Sequence, residues 1–167
     1  MKEINFAQAA ALTSPNPLVL VCTKKENGLL NMAPVSFAMF ASVSPFMLAF
    51  AMAKPSNTGA NIRRTGKAVL VTPGLSLKDA AMAYGSTTGS QGDKLAQIPV
   101  PLQSLEGIDI QIPEDSRAAF AVTLVQTIDA GDHYLYLCNI DKALGDETKE
   151  ALLAWEGYTK LSPAGEK

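Results

Sequence analysis

The run Pro17-Leu18-Val19-Leu20-Val21-Cys22-Thr23 is apolar at almost every position and rich in β-branched side chains. That pattern belongs to a strand covered on both faces rather than to an amphipathic helix. Lys24-Lys25-Glu26-Asn27-Gly28 follows, and Asn27-Gly28 marks a hairpin because both residues tolerate positive φ. Leu29 to Ala41 reads as the returning strand. Ser44-Pro45 interrupts it, since proline donates no backbone hydrogen bond and restricts the residue before it. Phe46 to Ala53 is a third strand, so the first third of the chain reads as a meander.

The period changes at Lys54-Pro55-Ser56-Asn57-Thr58. Ser56, Asn57 and Thr58 are all suitable N-caps, and Ile62-Arg63-Arg64 before Gly66 supplies a helix body with a C-terminal stop. Ala68 to Thr72 returns to strand. Leu75 to Asp79 opens a second helix, with Ser76 and Asp79 at capping-box spacing, ending near Gly85. Gly85 to Gly92 is polar and glycine-rich, hence a surface loop, and Asp93 to Ile98 is one more helical turn. Short extended pieces flank Gly107 between Val100 and Pro113. Two long strands, Ala118 to Asp129 and His133 to Ala143, meet at Ala130-Gly131-Asp132. Thr148 to Trp155 reads as a short amphipathic helix and Tyr158 to Leu161 as a last strand. Antiparallel strands with helices inserted between them argue for a mainly β protein, a barrel with helical decorations, and against a parallel βαβ sheet.

Composition narrows the function classes. The chain has 167 residues, which fits a single domain over 1–167, and its 14 basic and 16 acidic residues leave a net charge of −2. No basic stripe is present, so a nucleic-acid partner is not expected. A chain of this size buries roughly 70% of its unfolded surface and needs no disulfide to hold a core. Cys22 and Cys138 each lie inside an apolar run and are expected to be buried, reduced thiols. The N-terminal stretch is a poor signal peptide. The most apolar stretch, Phe37 to Ala53, is short of a spanning helix and contains Ser42, Ser44 and Pro45. The expectation is a soluble, cytoplasmic protein without a membrane partner.

Candidate chemistry begins with what is missing. There is no GxGxxG after a strand, no Gly-Lys-Ser/Thr closing the 85–94 loop, and no GxSxG elbow. His133 is the single histidine, which excludes a multi-histidine metal site, and no metal is expected. An enzyme so short of acids, bases and metals borrows its reactivity from an organic cofactor. Residues 31–64 suit that role. Asn31, Ala33, Val35 and Phe37 share one face of a strand, with Pro34 and Ser36 on the other. Pro34 suits an edge, where backbone groups are left free for a ligand. Ala41-Ser42-Val43 begins a corner of small residues that a flat ring can approach. Lys54, Ser56, Asn57 and Thr58 offer an ammonium, hydroxyls and an amide at a helix start that favours an anion. The same stretch also reads as an ordinary N-cap with a solvated basic face, and Arg63 or Arg64 either folds back toward the anion or points to solvent.

NPLVLVCTKKENGLLNMAPVSFAMFASVSPFMLAFAM followed by KPSNTGANIRRTGKAVLV resembles the flavin reductase-like, FMN-binding split-barrel family, which includes flavoredoxins. The resemblance resumes at Gly92-Asp93-Lys94-Leu95, at Asp132 to Leu137 and at Gly157 to Leu161. It implies an antiparallel split β-barrel, a homodimer, and FMN as cofactor. By position, Asn31, Ala33, Pro34 and Ser36 would lie beside the flavin, and the backbone of Ala41, Ser42 and Val43 would meet the ring edge. Lys54, Ser56, Asn57 and Thr58 would hold the phosphate, with Asn61 and Arg64 nearby. His133 would sit near the ring or a nicotinamide as the catalytic candidate; on the residues alone it is a polar residue opening a strand. Val71-Thr72-Pro73 and Trp155-Glu156-Gly157-Tyr158 depart from the family pattern, which bears on reductant and substrate more than on fold.

The leading expectation is therefore an oxidoreductase that transfers a hydride from NAD(P)H to flavin, with NAD(P)H or a redox partner protein as its second partner. The alternative is a non-enzymatic FMN-binding electron carrier or flavin sensor. A third is a barrel without flavin, serving as a scaffold or taking a deazaflavin or haem.

Overall fold

Strands do dominate. The structure, a computed structural model, describes residues 1–164. A short helix α1 (Phe6–Leu12), closed by an Asn5–Gln8 capping box, precedes β1 (Val19–Lys24) and β2 (Leu30–Val35). These two form the hairpin expected at Asn27-Gly28, with Gly28 at φ +81°. Next come β3 (Ala38–Ser42), β4 (Met47–Ala53), α2 (Asn57–Thr65) and β5 (Lys67–Pro73). Helices α3 (Lys78–Ser86) and α4 (Lys94–Gln97) and the hairpin β6 (Leu102–Leu105) and β7 (Ile108–Pro113) complete the middle of the chain. The long pair β8 (Ser116–Ala130) and β9 (His133–Gly145) and the small pair β10 (Leu153–Trp155) and β11 (Lys160–Ser162) end it.

Seven strands make one antiparallel sheet in the order β2-β1-β5-β8-β9-β4-β3. β2 and β3 stand at opposite ends of that order, yet only Ser36 and Phe37 separate them. Two residues span less than about 10 Å, so the two edges of the sheet must meet and the sheet curls into a barrel. Ala51 N–H donates to the Phe37 carbonyl at 2.9 Å, which carries the β3–β4 ladder one residue into the link. Beyond that contact β2 stays with β1 while β4 stays with β9, and the barrel wall parts.

The apolar positions sort into two layers by the period-two alternation of strands. Val21, Phe50, Leu70, Val122 and Tyr136 fill the barrel interior, with the Phe50 and Tyr136 rings stacked at 5.3 Å. Leu20, Cys22, Val69 and Val71 face outward beneath α3, the β6–β7 hairpin and β10–β11. The central strands β1 and β5 are covered on both faces, as their unbroken apolar runs require. Helix α2 plugs one end: Ser56 caps it by accepting from Gly59 N–H, and Gly66 ends it at φ +70°. A Cβ on Gly59 would run into the Tyr136 hydroxyl, so glycine sets how closely this helix seats.

Four sequence expectations change. Leu29 to Ala41 is two strands, because the chain leaves β1 at Ser36 to reach the other edge, and the first third is not a simple meander. Thr148 to Trp155 is not a helix: residues 146–149 form a turn on Asp146, and β10 follows, paired with β11 and bridged to Asn16. Ser76 does not box with Asp79; its N–H and hydroxyl both bind Asp115, at 2.9 and 2.6 Å. The 85–92 stretch, expected as a loop, holds the end of α3 and a 3-10 turn at Gly89–Gln91.

Among the described residues no helix is long and apolar enough to cross a membrane, and no group of three or more His, Cys, Asp or Glu is arranged to hold a metal ion. Cys22 and Cys138 are buried free thiols, and burial pushes the Cys138 thiol up to about 12 and that of Cys22 higher still.

Truncating the interior ring tests this packing. Phe50→Ala should lower unfolding free energy by about 3–5 kcal/mol, whereas Leu12→Ala, at a position 75% exposed, should change it by less than about 0.5 kcal/mol. Urea denaturation of the two variants separates these outcomes.

Candidate functional site

Where the barrel wall parts, the structure has a cleft of about 1220 Å³. β2 forms one lip through Ala33, Pro34 and Ser36, and β4 forms the other through Ala51, Met52 and Ala53. Pro34 pairs with Leu20 of β1 on one side and faces the cleft on the other, the edge position its missing N–H allows. The start of α2 closes one end. The end of α3 and residues Thr87, Thr88, Gly89 and Ser90 form the opposite wall.

The α2 end is polar and tightly built. A helix's first N–H groups have no acceptor within the helix. Ser56 takes up that of Gly59, at 3.1 Å, while Asn57 and Thr58, which carry two others, line the cleft. Thr58 is held from beneath by Asn31, whose Nδ2 donates to its hydroxyl at 2.7 Å. Asn31 is 1% exposed, and its Oδ1 is buried with no hydrogen-bond partner. Leaving such an atom unpaired costs about 1–3 kcal/mol. Opposite it sits Gly89, where any Cβ would collide with Oδ1 of Asn31 and crowd that of Asn57. The closed end is thus a cradle shaped by a glycine and carrying one unused acceptor.

Lys94 adds charge. It is 6% exposed, lines the cleft, and donates from Nζ to the carbonyls of Tyr84 (2.6 Å) and Met32 (3.4 Å). Carbonyls solvate the ammonium without neutralising it. Desolvation, and secondarily the nearby Lys25, holds the Lys94 pKa below its ordinary 10.5. A buried cation without a carboxylate favours an anion in the space it borders.

The other end of the cleft is aromatic. His133 opens β9 beside Ala53 of β4. Its Nδ1 bonds Asp132 at 2.7 Å, which holds the Asp132 carboxyl below its usual range, and its ring lies 5.6 Å from that of Phe37. Phe6 and Tyr158 complete that end.

Of the residues the sequence singles out, Ala33, Pro34, Ser36, Ser56, Asn57, Thr58 and His133 come together on the cleft. Asn31 supports it from below. Asn61 is buried against Thr23 (3.2 Å) and pins α2 to β1 rather than lining the cleft. Lys54 turns outward to Asp129 (2.8 Å) and over the Tyr134 ring, and Arg64 reaches the Lys24 carbonyl (2.8 Å). Ala41, Ser42 and Val43 lie at the exposed β3–β4 corner, away from the cleft of the same chain. The sequence reading missed Lys94 and the 87–90 wall. Their signal was present, a lysine after an Asp N-cap and a run of hydroxyls around a glycine, but nothing local brings them to α2.

Lys94 gives a pH test. On unfolding it returns to its ordinary pKa, so between the folded and ordinary values the unfolded chain binds more protons and stability rises with pH. The Lys94 contribution to the stability of the cofactor-free protein therefore rises as pH climbs toward 10.5, against the fall that the buried Cys22 and Cys138 thiols impose above their ordinary 9.0, and Lys94→Met should remove that rise and steepen the net fall. Urea midpoints across an alkaline series, wild type against variant, measure it; identical slopes contradict an unneutralised ammonium.

Comparison with known proteins agrees with this geometry. Residues 12–162 match the model of the flavin reductase like domain family. The flavoredoxin of Desulfovibrio vulgaris (Miyazaki F) has the same fold, with TM-score 0.83 and 20% identity, over 100% of this chain and 95% of that one. The FMN-binding protein of Thermus thermophilus gives TM-score 0.80 and 20% identity over 100% and 94% of the two chains. The NADH:FAD oxidoreductase of Streptomyces globisporus C-1027 gives 0.82 and 12% over 98% and 97%. The family match spans the barrel and all of the cleft lining except Phe6. The chain belongs to the flavin reductase like domain family, and its redox function is flavin-linked.

Proposed function

We propose that the cleft binds FMN and that the protein transfers a hydride from NAD(P)H to it, as an oxidoreductase of the flavin reductase type. The observation that carries this reading is the cradle at the α2 end. It combines free helix N–H groups and an unneutralised buried ammonium at the closed end of the cleft, with the unpaired Asn31 acceptor buried beneath. A phosphate answers the N–H groups and the ammonium, and a flat ring fits between the small-residue lips. The relatives whose names state FMN or FAD chemistry support the choice of flavin.

In this reading Ser56, Asn57 and Thr58 hold the phosphate, with the hydroxyls of Thr87, Thr88 and Ser90 facing them across the cleft. Ala33, Pro34 and Ser36 offer small side chains and the outer backbone edge of β2 to the ring. When bound, FMN supplies the hydride-accepting centre. The chain's own part is to fix that ring, hold Lys94 beside it as a positive charge, and keep water out with the apolar lips Ala51 and Met52. His133, oriented by Asp132, stands at the open end, where a nicotinamide would approach. Hydride transfer needs close approach and alignment more than a general base, consistent with so few titratable groups there.

We extend the proposal to a homodimer. Met39, Phe40, Val43 and Phe46 leave an exposed apolar face on edge strand β3 and its turn, and a second copy covering it would carry the Ala41-Ser42-Val43 corner into the assembly. Buried reduced thiols fit a cytoplasmic setting.

The test is the visible spectrum of purified protein titrated with FMN, then with NADH and NADPH without oxygen. A flavin spectrum that bleaches supports the reductase, whereas one that persists makes the protein an electron carrier or sensor. Ser56→Ala and Thr58→Ala should each weaken FMN about tenfold or more, since a hydrogen bond to a charged group contributes about 1.5–3 kcal/mol, while the folded protein persists. Undiminished FMN affinity in both variants would place the phosphate elsewhere.

A further inference from the structure

Helix α2 closes only one end of the barrel, where Asn61 binds Thr23 of β1 and Arg63 binds Tyr136 of β9. The strands run on to an opposite end, marked by Val19, Leu48, Thr72 and Phe120. There a pocket of about 330 Å³ opens into the interior, and no helical residue lines it. The buried core side chains of Leu48 and Leu70 line its depth. Thr72 follows Leu70 by two positions and so faces the same side of β5, and Ala38 packs on the same interior cluster. Two small side chains thus stand at this end, whereas the barrel nearer α2 is filled by the stacked rings of Phe50 and Tyr136.

Sheet order supplies the entrance. β3 ends the sheet and pairs only with β4, while β1 has β2 and β5 on its two sides. β3 and the start of β1 therefore carry no ladder between them, and Pro17, Val19, Ala38 and Phe40 line the pocket from both strands. Phe40 meets Phe120 edge-on at 5.5 Å. The pocket is separate from the cleft, since Leu18 alone lines both.

The lining carries no charged side chain, and Thr72 supplies its one side-chain hydroxyl. Among the described residues that hydroxyl has no hydrogen-bond partner. A cavity of about 150 Å³ lined by such residues takes benzene, and this one has about twice that volume.

We propose that this end of the barrel is a second binding site, which takes a neutral, apolar small molecule of roughly ten heavy atoms with one hydrogen-bonding group for Thr72. An ion would lose its hydration here with no counter-charge to replace it. A backbone segment entering the interior would bring N–H and C=O groups that these side chains cannot satisfy. Met39 and Phe40 at the rim belong also to the face that the dimer reading covers, so a side chain of a second copy is the rival occupant. The inference does not depend on the flavin reading.

1-Octanol and its anionic counterpart octanoate are the probes, titrated against the full chain by ligand-observed NMR with and without FMN. Octanol should saturate one site and bind at least about tenfold more tightly than octanoate. Thr72→Val keeps the shape, removes the hydroxyl and should weaken octanol about fivefold. Ala38→Leu fills the pocket and should abolish saturable binding. Both variants should keep the wild-type circular dichroism and FMN affinity. Equal binding of the two probes, displacement of octanol by FMN, or variants that bind octanol as the wild type does overturns the site. Absence of octanol binding by the wild type also overturns it, and if Ala38→Leu then splits a dimer, a second copy is the occupant. A chain that takes up no FMN but binds octanol in the expected pattern refutes the flavin reading and leaves this site standing.

Discussion

The structure turns on a two-residue link. Ser36 and Phe37 carry the chain from one edge of a seven-stranded sheet to the other, and so short a span obliges the sheet to close on itself. The link stays paired with β4 as far back as Phe37, opposite Ala51. Above that point β2 and β4 keep their own partners, and the wall opens into the cleft. The unpaired edge that open sheets must protect becomes here the lip of a binding site, and Pro34 sits on it without losing a ladder hydrogen bond.

A second consequence follows from what fills the gap. Helix α2 cannot pack there on apolar contacts alone, because its first turn must remain open to a ligand. It is tied down by buried polar groups instead: Asn61 to Thr23, Asn31 to Thr58. Such networks fix geometry more sharply than methyl groups do, provided every member is satisfied. The one atom left over, Asn31 Oδ1, and the ammonium of Lys94 that lacks a counter-ion lie at the same end of the cleft. The ammonium is a cost to the empty protein that an anionic ligand in the cleft would remove, which would couple binding to stability.

The two ends of the cleft divide the work by polarity. The α2 end is built from N–H groups, hydroxyls and a cation. The Phe37 end is built from rings, with His133 and Asp132 at its margin. One ligand with an anionic tail and a flat head would span that gradient. Conventional acid–base groups are scarce because the fold's task is to hold and align rather than to transfer protons.

Much of this was legible in the residues. Apolar runs, unbroken in β1 and β5, located β1, β4, β5, β8 and β9; Ser56 and Gly66 bounded α2; Asn27-Gly28 marked the first hairpin. These are local signals, set by backbone sterics and by which neighbours in sequence are apolar. The Thr148 to Trp155 segment misled because a short apolar pattern carries no record of the remote Asn16 that bridges to Ala154, nor of the β11 return that pairs with its end. The cleft was half legible. Its α2 side could be read from the cap, but Lys94, Gly89, Phe6 and Tyr158 reach it only through closure of the barrel and the clasp of α1 on the final turn. The sequence by itself determined the strands, the capped helix and the family. Tertiary structure decided that Lys54, Asn61 and Arg64 serve neighbouring elements while Lys94 faces the cleft, because burial and the loss of counter-charge exist only once remote segments have packed.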